Sequence, residues 1–506
     1  MTVGVFSLIS SMTGIILEMS IAAKLGLSRS SDTFYVAFTA PYVITTLLSA
    51  TGQFSLVPFF SSLETAGDEK DVWLGFSYAL NLVVLGLATV ALVGAAAAPW
   101  IVRAIAPGFT VAQSRVAASL ARWLFFVIIP AGAAEIFRSF LYSRHHFALP
   151  AASGFFRNIS VIFFILATFR GYGDYSIVIG YFAGYGLQLL LLGGQLFLLF
   201  PVRYTLQLHG SGADFQKLRH TGSAQLGAAV GWQGVVVAER IIASFLPPGS
   251  ITALNYGLKI MSTLSEVLTG SVGTGALPAL SRAEARQALE ESRKLFRDAL
   301  EISTVLVAPA LVFCLMLSRP IIRLVFEHGL FDATAASRME HVFFYYSLSL
   351  PLYSTLRLII FYLFARRESR NFLRLSAFNY TLTVACDLLF VGIMHMGVKG
   401  IPLGLFTSLC VTCLLVYLRD VASLRRIMNP GFAVFVGKIA AAAALTAVLT
   451  AVLKRSVAAG FTTPQLFFSL TMVCAAGCLV FIAVLVVTKA LSFSQIASFM
   501  KASEVS

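Results

Sequence analysis

Long apolar runs separated by short polar segments make up most of this chain. A run of about 20 mostly apolar residues spans the hydrocarbon core of a bilayer as a helix, and about fourteen such runs are present. Several contain proline, including Pro41, Pro130 and Pro351, which membrane helices tolerate where neighbouring helices satisfy the freed carbonyl groups. The pattern therefore predicts an all-α polytopic membrane protein. The predicted spans are 3–24, 33–62, 72–102, 116–143, 149–169, 176–202, 224–245, 250–280, 299–325, 341–364, 373–394, 400–418, 432–453 and 464–487.

An internal repeat divides these spans into two groups. The sequence VPFFS at 57–61 returns as LPALS at 277–281, and Pro130 returns as Pro351, at offsets of 220 and 221 residues. Because six spans is an even number, two copies of a six-span unit share one orientation, with a symmetry axis along the membrane normal. We predict two six-helix lobes in pseudo-two-fold relation, followed by two extra C-terminal helices. The predicted divisions are a first lobe at 1–203, a cytoplasmic linker at 204–222, a second lobe at 223–428, and the last two helices and a tail at 429–506.

Composition and charge also favour a membrane protein. Hydrophobic residues make up 58% of the 506 residues, and charged residues only 12%. The net charge of +14 would suggest a nucleic-acid partner in a soluble protein, but here the basic residues lie mostly in short loops, so no nucleic acid is expected. Their distribution predicts that both termini are cytoplasmic, and the first apolar run is expected to be a retained helix. The six cysteines lie inside apolar runs, which argues against disulfides or a zinc site.

The stretch 250–281 is apolar but carries two charges, Lys259 and Glu266. A charge at the centre of a bilayer costs about 3 kcal/mol or more, so such a residue faces protein or a wet cavity. We therefore predict that this helix lines an internal polar space, as expected of a transporter.

Several sequences in the chain match a known family. They are PGSITALNY at 248–256 followed by Lys259, LPALS at 277–281, PIIRLVFEHG at 320–329, Asp32-x-Phe34-x-Val36 and FALP at 147–150. With these residues the chain resembles the MurJ/MviN lipid II flippases of the MOP transporter superfamily, over nearly its whole length. The resemblance implies two lobes forming a V around a cationic cavity, and a groove for a lipid tail between the two extra helices.

The resemblance also suggests a substrate site. Lys259 matches a basic position that would bind the substrate pyrophosphate; the alternatives are a lysine that extends to the membrane interface or a structural partner of Glu266. Glu18 matches an acid that would carry a proton or balance Lys259, unless it is structural. Asp32 matches an acid at the outer end of the second helix, and the alternative is a helix N-cap formed by Ser31 and Asp32. The predicted substrate-binding residues are Lys259, Glu18, Asp32, Glu266 and Arg357.

A coupling-cation site is implied in the same way. In the family, acidic and amide or hydroxyl groups on neighbouring helices bind Na⁺, and hard cations require such clustered oxygen ligands. Because Glu239 is longer than the usual aspartate and Thr383 replaces an amide, H⁺ is the alternative ion. Glu239 would otherwise pair with Arg240 or Arg357. The matching positions are Glu239, Thr383, Asp387 and Thr407.

One departure from the family keeps the substrate open. Where the family has arginines on its first two helices, this chain has Met12, Leu17, Thr39, Thr45 and Thr46.

We expect a monomeric lipid II flippase of the bacterial inner membrane, serving peptidoglycan synthesis and cell shape by cation-coupled alternating access. The alternatives are a flippase for another polyprenyl-linked oligosaccharide of the exopolysaccharide or O-antigen type, a multidrug/cation antiporter, and a non-transporting scaffold. The sequence contains no phosphate-binding loop, zinc spacing or nucleophile elbow, so neither an enzyme nor a cofactor beyond the coupling ion is expected.

Overall fold

The computed structural model describes residues 2–65, 69–206, 223–421, 424–427, 429–455 and 461–490. Most of the predicted linker, 207–222, and the tail at 491–506 lie outside the described residues. The α-helices are α1 (Thr2–Leu25), α2 (Arg29–Thr51), α3 (Val57–Thr65), α4 (Glu69–Ile105), α5 (Val111–Ser143), α6 (Ala148–Tyr172), α7 (Tyr175–Leu199), α8 (Ser223–Ala243), α9 (Ser250–Ser265), α10 (Ser271–Ala285), α11 (Leu289–Met316), α12 (Ser318–Phe326), α13 (Ala333–Ala365), α14 (Ser369–Asp387), α15 (Gly400–Leu418), α16 (Leu424–Ile427), α17 (Pro430–Lys454) and α18 (Thr463–Val487).

The structure confirms an all-α polytopic fold. Within the described ranges, twelve helices are long and apolar enough to cross a membrane, and no strand is present. Of the two other predicted spans, 3–24 coincides with α1, and 250–280 is divided into α9 and α10 by a π-helical segment, Glu266–Gly270. Of two further π-helical segments, Gly52–Leu56 interrupts the predicted span 33–62, and Leu388–Ile393 forms the end of the predicted span 373–394. Such segments often occur at functional sites.

Local polar residues decide where α2 begins. The Ser31 N–H donates to Ser28 Oγ at 3.3 Å, and the Ser28 N–H donates to Ser31 Oγ at 3.0 Å. This reciprocal pair satisfies two free donors of the first turn, so Ser28 is the N-cap. Ser31 therefore helps to cap its own helix, but as the third helical residue rather than as the N-cap, and Asp32 does not take part. The Asp32 carboxylate is left for other donors.

The chain packs as two compact units. The first comprises Met1–Thr252 and Gly329–Phe331, and the second comprises Ala253–His328 and Asp332–Ser506. Packing thus groups α8 with the first unit, whereas the sequence prediction grouped it with the second lobe; the predicted lobe division stays a prediction.

An aromatic cluster holds α3, α4 and α5 together in the first unit. The rings of Trp73 and Phe76 lie 5.2 Å and 4.9 Å from that of Phe140, and all three side chains are buried. Such contacts add dispersion and quadrupole attraction to the burial of apolar area.

The inserted segment Gly329–Phe331 joins this unit through the Leu330 N–H, which donates to Ala23 O at 2.9 Å. Gly26 has φ +64°, and a Cβ there would lie only 2.6 Å from Leu330 O, so both the turn and the close approach need glycine.

In the second unit, α17 and α18 pack against α11 and α12. Leu317 is fully buried with Leu470 and Val473 of α18. A Cβ on Gly477 would lie 2.6 Å from the Phe313 ring, so the glycine allows α18 to approach α11 closely. Small residues have this role at membrane helix interfaces, because helices there gain mainly by close van der Waals contact.

Candidate functional site

The second unit contains an ion pair beside a π-helical segment. The Glu266 carboxylate, at the start of Glu266–Gly270, accepts a hydrogen bond from Arg357 Nη2 of α13. The two side chains are 46% and 24% exposed, so the pair is open to solvent on one side. A Cβ on Gly270 would lie 2.8 Å from Glu266 Oε1, so the glycine provides the space that the carboxylate occupies.

Hydroxyl groups extend this pair between the same two elements. Ser265 Oγ lies 3.1 Å from Ser354 Oγ and 3.3 Å from Thr269 Oγ1, and all three residues are buried. The Thr269 hydroxyl also donates to the Ser265 carbonyl at 2.6 Å. The second unit therefore has two sets of polar groups at the π segment, the ion pair and these three hydroxyls.

Lys259 lies two helical turns before Glu266, about 10 Å along the axis, and its side chain is half-buried. Lys259 Nζ has no hydrogen-bond acceptor and no ion-pair partner among the described residues. Since Glu266 neutralises only one charge, Lys259, Arg357 and Glu266 together leave one net positive charge on this part of the unit. A half-buried cation without a counter-ion is costly unless water or an anionic ligand reaches it.

Glu18 is engaged within the first unit. It accepts a hydrogen bond from the Tyr35 hydroxyl at 2.5 Å. The Arg240 guanidinium lies 6.0 Å from the Tyr35 ring centroid, and its Nη1 donates to Ile251 O at 2.9 Å. Glu18 is thus held by a neighbouring helix, and Arg240 has an acceptor other than Glu239.

Asp32 caps the first turn of the helix that begins at Ser250. Its carboxylate accepts from the Gly249 N–H at 2.6 Å, from the Thr252 N–H at 2.9 Å and from the Thr252 hydroxyl at 2.7 Å. The side chain is only 4% exposed. The two N–H donors are backbone groups that a helix N-terminus leaves unsatisfied, and an anion there is favoured by the helix dipole.

The positions where the family has arginines do not supply cations here. The hydroxyls of Thr39, Thr45 and Thr46 donate to carbonyls of their own helix, at 2.7, 2.9 and 2.9 Å. In the same unit the Arg157 guanidinium lies 5.0 Å from the Tyr185 ring centroid, and its Nη2 donates to the side chain of Asn158 at 3.2 Å.

A polar seam, defined as Asn379, Thr383 and Asp387 of α14 with Thr412, Ser408 and Gly404 of α15, runs between these two helices. Asn379 Nδ2 donates to Thr412 Oγ1 at 3.0 Å, and the hydroxyls of Thr383 and Ser408 lie 2.7 Å apart. One turn further, a Cβ on Gly404 would meet the Asp387 carboxylate. The residues on each helix are four apart, so the three levels stack along an antiparallel pair of helices. Thr383, Asp387, Ser408 and Thr412 are each 0% exposed.

The remaining residues predicted for a cation site are placed as follows. Glu239 lies on α8 in the first unit and is 7% exposed, whereas Thr383 and Asp387 belong to the second unit. Thr407 donates to Leu403 O of its own helix at 2.9 Å. In the described part of the chain, no group of three or more histidine, cysteine, aspartate or glutamate residues is arranged to hold a metal.

Comparison with known proteins decides the family. The family model described as "Lipid II flippase MurJ" matches residues 21–472. The chain belongs to the MurJ lipid II flippase family.

Relatives agree with this assignment, and solved structures show the same fold. The probable lipid II flippase MurJ of Buchnera aphidicola subsp. Baizongia pistaciae is 25% identical over 488 residues, covering 93% of this chain and 92% of the relative. Lipid II flippase MurJ of Burkholderia cenocepacia is 26% identical over 434 residues, covering 83% and 82%. A structure of lipid II flippase MurJ in an inward closed conformation has a TM-score of 0.77 at 17% identity, covering 95% of this chain and 98% of that one. An inward-facing multidrug resistance MATE transporter of the MOP superfamily has a TM-score of 0.72 at 14% identity, covering 85% and 96%. The fold is therefore that of the MOP superfamily. Membership of the flippase family makes the chain a transporter rather than an enzyme.

Within this MurJ family member, sequence reasoning missed part of the seam. Ser408 is the hydroxyl that meets Thr383, although the prediction named its neighbour Thr407. The four-residue spacing of Asn379, Thr383 and Asp387, repeated by Gly404, Ser408 and Thr412, was the available signal. It marks one face of each helix, but it does not say which helix that face meets.

Proposed function

We propose that this protein moves lipid II, an undecaprenyl-pyrophosphate-linked saccharide, from the inner to the outer leaflet of the bacterial cytoplasmic membrane. It would act as a monomer with both termini in the cytoplasm. The observation that carries the proposal is Lys259, a half-buried cation with no acceptor among the described residues, in a chain of the MurJ family.

Pyrophosphate recognition would rest on Lys259 and Arg357. Lysine offers a compact charge with three donors, and arginine offers a planar fork that suits phosphate oxygens. Glu266 occupies part of the Arg357 fork, which holds the guanidinium in place and lowers the local positive charge. Such a site would bind a diphosphate without retaining it too tightly, as transport requires. This arrangement disfavours a multidrug antiporter, because an organic cation would be repelled by the net positive charge.

Coupling to a cation would use the polar seam. Asp387, Thr383 and Ser408 supply carboxylate and hydroxyl oxygens in a buried position, and Gly404 leaves space for the carboxylate. These are the ligands that Na⁺ prefers, and a proton on Asp387 would serve the same purpose. Each elementary charge that crosses the membrane potential contributes about 2.3 kcal/mol per 100 mV. That energy would reset the transporter without a nucleotide.

The substrate proposal is tested by transport in proteoliposomes containing fluorescent lipid II. Lys259→Ala removes a charge-assisted contact of about 1.5–3 kcal/mol, so transport at low substrate should fall about 10- to 100-fold. Lys259→Arg should retain most of the rate. Lys438→Ala is the matched control, because Lys438 is also a half-buried lysine inside a candidate span.

Three outcomes would change the proposal. Flipping by Lys259→Ala at the parental rate would remove the pyrophosphate role. Transport of a different polyprenyl-linked oligosaccharide in place of lipid II would favour the alternative raised by the threonines at 39, 45 and 46. Drug efflux with no effect on either lipid would favour the multidrug antiporter.

A further inference from the structure

The second unit has a cavity of about 730 Å³ where α13, α14 and α15 come together at one end. Its size is in the range of small-molecule sites, about 300–1,000 Å³. Its lining residues include no member of the ion pair or the polar seam. Its charged and polar lining residues are Arg366, Glu368, Asn371, Arg374, Arg419 and Asp420, and its apolar ones are Leu375, Phe378, Leu415 and Val421.

The two acids of this cavity are already engaged. Glu368 accepts from Arg366 Nε at 2.7 Å and from Asn371 Nδ2 at 2.7 Å. Asp420 accepts from the Arg425 backbone N–H at 2.8 Å. These bonds compensate the negative charges of the cavity and leave its other cations available.

Two arginines of the cavity are uncommitted. Arg374 on α14 and Arg419 at the C-terminal end of α15 are exposed, and neither has a hydrogen-bond or ion-pair acceptor among the described residues. They come from different helices and line the same cavity. Two guanidinium groups that face one space are suited to a phosphate group, which accepts paired hydrogen bonds from each fork.

The apolar part of the lining specifies the kind of phosphate. Leu375 is buried, and Phe378 is 38% exposed, so an aromatic face is open beside the arginines. A free phosphate ion gains nothing from such a surface, whereas the glycerol and first acyl carbons of a lipid do. Basic pockets between membrane helices on the cytoplasmic side bind the headgroups of anionic lipids, and loop charges predict that this end is cytoplasmic.

We propose that this cavity binds the headgroup of an anionic phospholipid, with Arg374 and Arg419 as the phosphate ligands and Phe378 against the glycerol and acyl carbons. The bound headgroup would connect the ends of three helices that also carry Arg357, Asp387 and Ser408. Cardiolipin, with two phosphates, should bind more tightly than phosphatidylglycerol, and zwitterionic phosphatidylethanolamine should bind most weakly.

The test is a lipid titration of the purified full-length protein followed by native mass spectrometry. The double variant Arg374→Gln/Arg419→Gln should lose affinity for cardiolipin about tenfold or more, since each basic residue near a lipid surface contributes a factor of about five. The matched control is Arg370→Gln/Arg426→Gln, which removes the same charge from exposed arginines of the same region that do not line the cavity. It should bind as the parent does. Because all four side chains are exposed, both variants are expected to fold, which size-exclusion chromatography checks.

Two further measurements distinguish a bound lipid from a bound phosphate ion and from general surface charge. Phe378→Ala should weaken cardiolipin binding, and millimolar inorganic phosphate should not displace the lipid. Equal losses in the two double variants would mean general surface charge and would overturn the proposal. Unchanged cardiolipin binding in Arg374→Gln/Arg419→Gln would overturn it too, and displacement by inorganic phosphate would assign the cavity to the free ion.

Discussion

Asp32 offers a test that separates a structural role from a substrate-binding one. Its carboxylate accepts three hydrogen bonds, from Gly249 and Thr252, in a position that is 4% exposed. Hydrogen bonds to a charged group contribute about 1.5–3 kcal/mol each, although such bonds are not additive. Asp32→Ala would leave two backbone N–H groups at a helix N-terminus without an acceptor, so we expect a loss of about 3–5 kcal/mol. Asp32→Asn keeps one acceptor oxygen but loses the charge facing the helix dipole, so a loss of about 2 kcal/mol is expected.

The assay compares thermal unfolding with substrate affinity in the same preparation. Both Asp32 variants should unfold several degrees lower than the parent, while the folded fraction binds lipid II with unchanged affinity. Asp174→Asn is the control, since Asp174 accepts one side-chain hydrogen bond, from Ser30 at 2.5 Å, and should cost less. A double-mutant cycle with Thr252→Val measures the hydroxyl contact directly. An unchanged melting temperature with weakened lipid II binding would refute the capping role and make Asp32 a substrate ligand.

Three further predictions concern the second unit. Glu266→Gln should tighten lipid II binding several-fold, and Arg357→Gln should weaken it by a similar factor. The reason is that a nearby, partly exposed charge contributes about 1 kcal/mol to the binding free energy. Titration with labelled lipid II measures both affinities. Gly404→Ala should reduce cation-dependent transport about tenfold or more, because the added Cβ meets the Asp387 carboxylate, and transport with and without a Na⁺ or H⁺ gradient measures the loss. Asp332 is the N-cap of α13, and the hydrogen bond from the Ala335 backbone N–H holds its pKa below 3.8 in the folded protein. The ionised carboxylate therefore stabilises the fold fully above that pH, and this stabilisation is lost as the pH falls through the pKa of the folded protein. Asp332→Ala should therefore lower the melting temperature by a few degrees at most at pH 7, and the difference from the parent should vanish in acid.

The last two of these predictions have a contrasting control. Gly392→Ala should leave transport unchanged, because nothing lies within 4 Å of a Cβ there. Asp332→Asn should behave as the parent at neutral pH, since asparagine is also a good N-cap. Equal effects of the two glycine changes would contradict the space argument for Asp387. A pH-independent difference for Asp332→Ala would mean that the ionised carboxylate is not what stabilises the cap.

From the sequence alone, the properties of single segments could be predicted. The length and apolarity of each run predicted the membrane helices, because a helix in lipid satisfies its backbone hydrogen bonds within its own segment. The same reasoning singled out Lys259, Glu266 and Asp387, since a charge inside an apolar run is costly wherever the helix packs. The span 250–280 was predicted as one helix, but the π turn at Glu266–Gly270, next to the Arg357 guanidinium, divides it.

The tertiary structure decided which side chains meet. Periodicity placed Thr383 and Asp387 on one face of a helix, but only packing showed that this face meets Ser408 and Gly404. Asp32 was predicted to cap its own helix or to bind substrate, and its actual donors are more than 200 residues away in the sequence. Contacts of this kind depend on the register and rotation of two helices about each other. These are set by the fit of all their side chains, and no single segment encodes them.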